Sequence, residues 1–129
     1  SMKLHYREMG EGQPMMILHG LFGFSDNWQT HAKKLAEYYR VILVDLRNHG
    51  HSDWSDEFSY DLMAEDVHEL CVDLGIRKMI LLGHSMGGKT VMNVAQCERL
   101  NSYHSTCWIY NRNINVGALQ IFNIIVIDD

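Results

Sequence analysis

Residues 79–88 read Met-Ile-Leu-Leu-Gly-His-Ser-Met-Gly-Gly, and this stretch restricts the fold of the chain more than any other. Met79 to Leu82 form a continuous apolar run of the length expected for a strand buried on both faces. Gly83-His84-Ser85-Met86-Gly87 then fits G-x-S-x-G. Val91, Val94 and Ala95 follow at helical spacing, which predicts a helix from Ser85 to about Glu98. A strand that passes into a helix through so few residues must turn sharply. Side chains at the flanking positions would collide with neighbouring backbone, so glycine is needed there. The Ser85 hydroxyl would stand above the sheet, and the helix would direct its free amides and positive dipole end at the same spot. A nucleophilic serine and a developing oxyanion require that arrangement.

The rest of the chain predicts the layers around this element. Leu4 to Met9 alternate as a first strand, and Gly10 to Pro14 read as a turn. Met15 to Leu18 and Val41 to Val44 are short apolar runs, each read as a buried strand. Between them, Ser25 is the expected N-cap of a helix. The stripe of that helix is Trp28, Ala32, Leu35, Ala36 and Tyr39. Residues 46–56 read as a polar loop. Ser59 caps a second helix with the stripe Met63, Val67, Leu70, Cys71 and Leu74, and Gly75 falls where a left-handed C-cap belongs. Alternating strands and helices predict an α/β fold with a mostly parallel sheet and crossover helices. Ligands in such sheets bind beyond the carboxyl ends of the strands. His19-Gly20, Asp45 and Ser85 all follow strand ends and are expected on one edge.

Composition narrows the partners. A chain of 129 residues with formal charge -5 and no Lys/Arg cluster gives no electrostatic footprint for nucleic acid or an anionic membrane. Cys71, Cys97 and Cys107 form no CxxC and read as reduced thiols, with Cys71 on the core stripe of its helix. The histidines show no metal-ligand spacing, and neither a metal nor a cofactor is expected. No secretory signal pattern opens the chain, and Ser1-Met2 reads as a remnant before a start methionine. The apolar run near Ile121 to Ile127 is far shorter than a bilayer span. Together these features predict a cytoplasmic protein.

Three segments in this order resemble the α/β-hydrolase superfamily: His19-Gly20-Leu21-Phe22-Gly23, Asp45-Leu46-Arg47-Asn48-His49-Gly50-His51-Ser52, and Gly83 to Lys89. The middle segment is similar to the small bacterial esterases and their mitochondrial relatives. The resemblance covers roughly residues 3–96. It implies a serine esterase or thioesterase acting on a small acyl ester without a cofactor. Ser85 would be the nucleophile of an acyl-enzyme. The amides of Leu21 and Met86 would be the oxyanion donors. His19, Phe22 and His84 would border the substrate pocket, with the Phe22 and Met86 side chains available to an acyl group. On the residues alone, His19 reads as a hydrogen-bonded scaffold rather than a base. Arg47, Asn48 and His49 read as pins for their loop.

Two expectations depart from that pattern. The family's order is Ser, then Asp or Glu, then His. The only histidine after Ser85 is His104, too near the nucleophile helix to match, so the usual base is not among these residues. Asp128, at the end of an apolar run 43 positions after Ser85, is the candidate acid. From Asn101 onward there are five asparagines, no lysine and one arginine, and residues 97–129 read as a divergent tail on a truncated 3–96 core, with one closing strand at 119–127. The nucleophile strand would otherwise expose an apolar edge, which predicts that the tail covers it, in the same chain or in a homo-oligomer. A second reading keeps the fold but makes the protein a non-catalytic binding or scaffold protein.

Overall fold

The computed structural model describes residues 2–19, 28–84, 86–94, 107–110, 114–116 and 119–127. The strands are β1 (Tyr6–Met9), β2 (Gln13–Leu18), β3 (Tyr39–Val44), β4 (Lys78–His84), β5 (Cys107–Tyr110), β6 (Ile114–Val116) and β7 (Leu119–Ile127). The helices are α1 (Gln29–Leu35), α2 (Tyr60–Asp73) and α3 (Met86–Val94). The sheet order is β1-β3-β2-β4-β7-β5, with β6 also paired to β7. β3, β2, β4 and β7 run parallel, while β1, β5 and β6 join antiparallel.

Strict alternation in the central strands builds two cores. Met16, Leu18, Ile42, Val44, Met79 and Leu81 face α2 and α3. Met15, Ile17, Val41, Leu43, Ile80 and Leu82 face the side carrying Ala32 of α1. The short apolar runs are therefore strands covered on both sides, as crossover helices require. β2 begins two residues earlier than its apolar run and takes in Pro14. Proline is tolerated there because only β3 pairs that part of the strand; pairing to β4 begins at Met15.

α2 follows its pattern closely. The Ser59 hydroxyl accepts from the Leu62 amide at 3.1 Å. Met63, Val67, Leu70 and Cys71 are buried. Gly75 adopts φ +68° while the Ile76 amide donates to the Cys71 carbonyl and the Gly75 amide to that of Val72, which is a Schellman closure. Burial pushes the Cys71 thiol up to about 12.

Two expectations need correction. The α1 stripe does not run to Tyr39: the helix ends at Leu35, and Tyr39 opens β3 opposite Gln13 of β2. Parallel pairing takes Tyr39 out of the helix although its spacing fits. Residues 46–56 are also not simply a polar loop. Leu46, Arg47 and Ser52 are buried, as is Asp45 just before them. The predicted cap Ser25 lies outside the described residues.

β7 lies along the edge of β4 within the same chain, from Lys78↔Gln120 to His84↔Ile127. The pairing slips by one residue between Met79↔Ile121 and Ile80↔Asn123. That bulge lets Ile121 and Ile124 enter the same core although they stand an odd number of residues apart. Among the described residues no helix is long and apolar enough to cross a membrane.

Ile124 is fully buried. Ile124→Ala is expected to lower unfolding free energy by about 2–5 kcal/mol. Urea denaturation checks this; a change below about 0.5 kcal/mol would mean that β7 does not close the core.

Candidate active site

β2, β3 and β4 end level with one another: Leu18 pairs with Val44 on one side and with Gly83 on the other. His19, Asp45 and His84 follow at the same rim. β4 ends at His84 and α3 opens at Met86, leaving one position between strand and helix. That position is Ser85. With Gly20, Leu21, Phe22, His104 and Asp128, it lies outside the described residues.

Both motif glycines have a steric cause. A Cβ on Gly83 would fall 2.6 Å from the Gly88 nitrogen and closer still to the Gly87 carbonyl. A Cβ on Gly87 would fall 2.5 Å from the His19 carbonyl oxygen and overlap that of Leu18. The start of α3 thus presses on the end of β2 and on β4 through bare backbone. The Met86 side chain is only 4% exposed and belongs to the core on the α2 side. The Thr90 hydroxyl donates to the Met86 carbonyl at 3.0 Å.

His19 is buried, and its Nε2 accepts from the Leu46 amide at 2.9 Å. An amide can only donate, so this nitrogen is unprotonated and its lone pair is engaged. The ring lies 5.0 Å from that of His49. His49 donates from Nδ1 to the Arg47 carbonyl at 2.9 Å, since a carbonyl can only accept. His84, half-buried, meets the Trp28 indole edge-on at 5.9 Å between ring centres.

The loop after β3 is tied down by polar groups, which periodicity cannot reveal. The Arg47 guanidinium forms a bidentate pair with Asp66 of α2 at 2.7 and 2.8 Å, and donates to the Glu57 carbonyl. The hydrogen bond to Asp66 raises the Arg47 pKa above its ordinary value. Asn48, at φ 65°, exchanges hydrogen bonds with Ser55. The Asp45 carboxylate accepts from the His51 amide, and its carbonyl accepts from the Ser52 hydroxyl. Arg47, Asn48 and His49 therefore pin the loop, and Asp45 organises it from within. Asp66 was missed by sequence reasoning; an acid on the buried side of an amphipathic helix was the available signal. A surface groove of about 460 Å³ runs along Asp53, Trp54 and Glu57, and its walls include neither His19 nor Met86. Among the described residues no group of three His, Cys, Asp or Glu side chains is placed to hold a metal.

Parallel strands ending at a common rim, with a helix that opens two residues after β4 ends, fit the α/β-hydrolase class. The profile of the alpha/beta hydrolase fold matches residues 13–107. The chain belongs to that family. It is 48% identical over 87 residues to a provisionally named esterase/lipase of Haemophilus influenzae, covering 67% of this chain and 30% of that protein. It is 45% identical over 86 residues to the sn-1-specific diacylglycerol lipase ABHD11 of Xenopus laevis, covering 65% and 28%. The solved structure of a marine microorganism esterase superposes with a TM-score of 0.72 at 47% identity, over 74% of this chain and 38% of that one. The chain thus spans less than a third of the length of these two curated relatives.

Two stability measurements test this packing. Gly87→Ala is expected to cost about 3 kcal/mol or more, because its neighbours are carbonyls that cannot rotate away. A loss below 1 kcal/mol would show that α3 does not seat on β2. Arg47→Met should cost about 3–5 kcal/mol by leaving Asp66 buried and unpaired, and adding Asp66→Leu should recover much of the loss. Equal stability of the single and double variants in urea would contradict the pairing.

Proposed function

We propose that this chain carries the nucleophile-bearing part of a serine hydrolase of the carboxylesterase or thioesterase kind, acting on a small acyl ester. Ser85 attacks the acyl carbonyl, and the tetrahedral oxyanion is held by the amides of Met86 and Leu21. Collapse expels the alcohol or thiol and leaves an acyl-enzyme for water to cleave. The observation that supports this most strongly is the crossing of α3 over β2. Met86 opens the helix directly after the serine position, and Gly87 abuts the backbone of His19, the residue before Gly20-Leu21. Phe22 and His84 border the substrate on this reading, and His19, expected there from the sequence, supports the rim from behind because it is buried and bonded to Leu46.

Asp128 is proposed as the acid. The register supports it: Ile127 pairs with His84, so Ser85 and Asp128 each follow a member of that pair. The 43 positions between them, long for one helix and a loop, include β5 and β6 as well. The base that the family's chain order calls for has no match among these 129 residues. His104 is the only histidine after Ser85, and the His19 lone pair is already engaged by Leu46. Turnover by this chain alone is therefore impaired. Those same two observations favour the second reading, a binding or scaffold protein that retains the turn without the chemistry.

A fluorophosphonate probe separates the two. Slow labelling of the 129-residue chain, abolished by Ser85→Ala, is the expected result. The rate should fall far below that of a hydrolase with its triad intact, since removing the base of such a triad costs about a millionfold in turnover. Labelling that survives Ser85→Ala, or none at all, favours the non-catalytic reading. A rapid p-nitrophenol burst from a short ester would overturn the missing-base argument.

A further inference from the structure

His84 is the last residue of β4, and the two sides of that strand hold it differently. On the β7 side the ladder continues to His84↔Ile127. On the β2 side it stops one residue earlier, at Leu18↔Gly83. His84 continues the alternation of Ile80 and Leu82, which face the α1-side core, and on that face the Trp28 indole meets its ring edge-on, at 5.9 Å and an interplanar angle of 65°. Trp28 packs against the core on the α1 side, and His31, three residues further along, contacts the same indole at 5.3 Å. Neighbours three apart on a helix share a face, so His31 restricts how the indole can turn. A large ring thus packs on the α1-side face of the nucleophile strand at the residue where pairing to β2 has stopped and only that to β7 remains.

We propose that Trp28 is a positioning residue for the reaction at Ser85. Its ring fixes His84, and His84 sets where the next residue leaves the strand. The proposal rests on the serine-hydrolase reading above. It also explains why an indole suits this place: it reaches from the N-cap of α1 to the strand end and meets the imidazole in a T-shaped arrangement, a favourable geometry for aromatic pairs. A leucine would fill part of the volume and lose the directional contact.

The test uses n-butylboronic acid with the 129-residue chain and needs no turnover. A bond forms between Ser85 Oγ and boron, the hydroxyl proton passes to solvent, and the tetrahedral boronate mimics the oxyanion intermediate. Trp28→Leu is expected to raise the dissociation constant about tenfold, a misplacement effect rather than a lost ligand contact, and His84→Leu, which also borders the substrate, at least as much. Because both remove one shared contact, the double variant should lose no more than His84→Leu alone, not the product of the two losses. Trp28→Phe, which keeps an aromatic edge, should stay within about threefold of the parent. Melting curves set the assay temperature below every transition, so a role in stability alone would leave these constants unchanged. Unchanged affinity in Trp28→Leu, or multiplicative losses in the double variant, would overturn the positioning role while leaving Ser85 as nucleophile. Absence of an adduct in the parent chain, or one that persists in Ser85→Ala, would instead sink the hydrolase reading and this proposal with it.

Discussion

The contact on which the rest depends is backbone against backbone: the first turn of α3 seated on the ends of β2 and β4 with no side chain between. Gly87 faces the Leu18 and His19 carbonyls, and Gly83 faces the Gly87–Gly88 peptide. Packed cores do not deform smoothly, so one added carbon at either position has nowhere to go. Close seating keeps the end of β4 at His84 and the start of α3 at Met86 in contact through their flanking glycines. It also sets the start of α3 at the rim where β2 and β3 end. Chemistry at Ser85 would inherit its geometry from this crossing.

The remaining elements hold that crossing still. Two cores clamp the sheet, and β7 gives β4 a parallel neighbour on its outer side. The loop after β3 adds a polar brace. Arg47 reaches Asp66 across 19 positions of sequence, and His49 is set against His19 just behind the rim. A buried pair of this kind contributes little net stability over an apolar substitute, and its value lies in fixing one loop geometry. His19, its Nε2 committed to Leu46, belongs to the same brace.

What could be read from the sequence follows from what each signal encodes. Apolar runs and the stripe of α2 report burial, which is local, and they located β2, β3, β4 and α2 well. Ser59 and Gly75 report backbone satisfaction at helix ends, also local, and both act as expected. Tyr39 shows the limit: its spacing suits α1, but pairing with Gln13 decides otherwise, and no window around Tyr39 contains that partner. The Arg47–Asp66 pair was invisible for the same reason. At the site, the G-x-S-x-G spacing marked both glycines, because close approach leaves a composition trace. The Trp28–His84 contact leaves none, since either residue alone reads as ordinary core or surface.

The crossing itself is most directly tested by proton NMR. If α3 seats on β4 as described, a Gly83 α-proton occupies the direction in which a Cβ would meet the Gly88 nitrogen at 2.6 Å. A strong nuclear Overhauser cross-peak between that proton and the Gly88 amide is therefore predicted. If both resonances are assigned and no such cross-peak is present, the helix does not start where the account requires, and the geometry proposed for Ser85 fails with it.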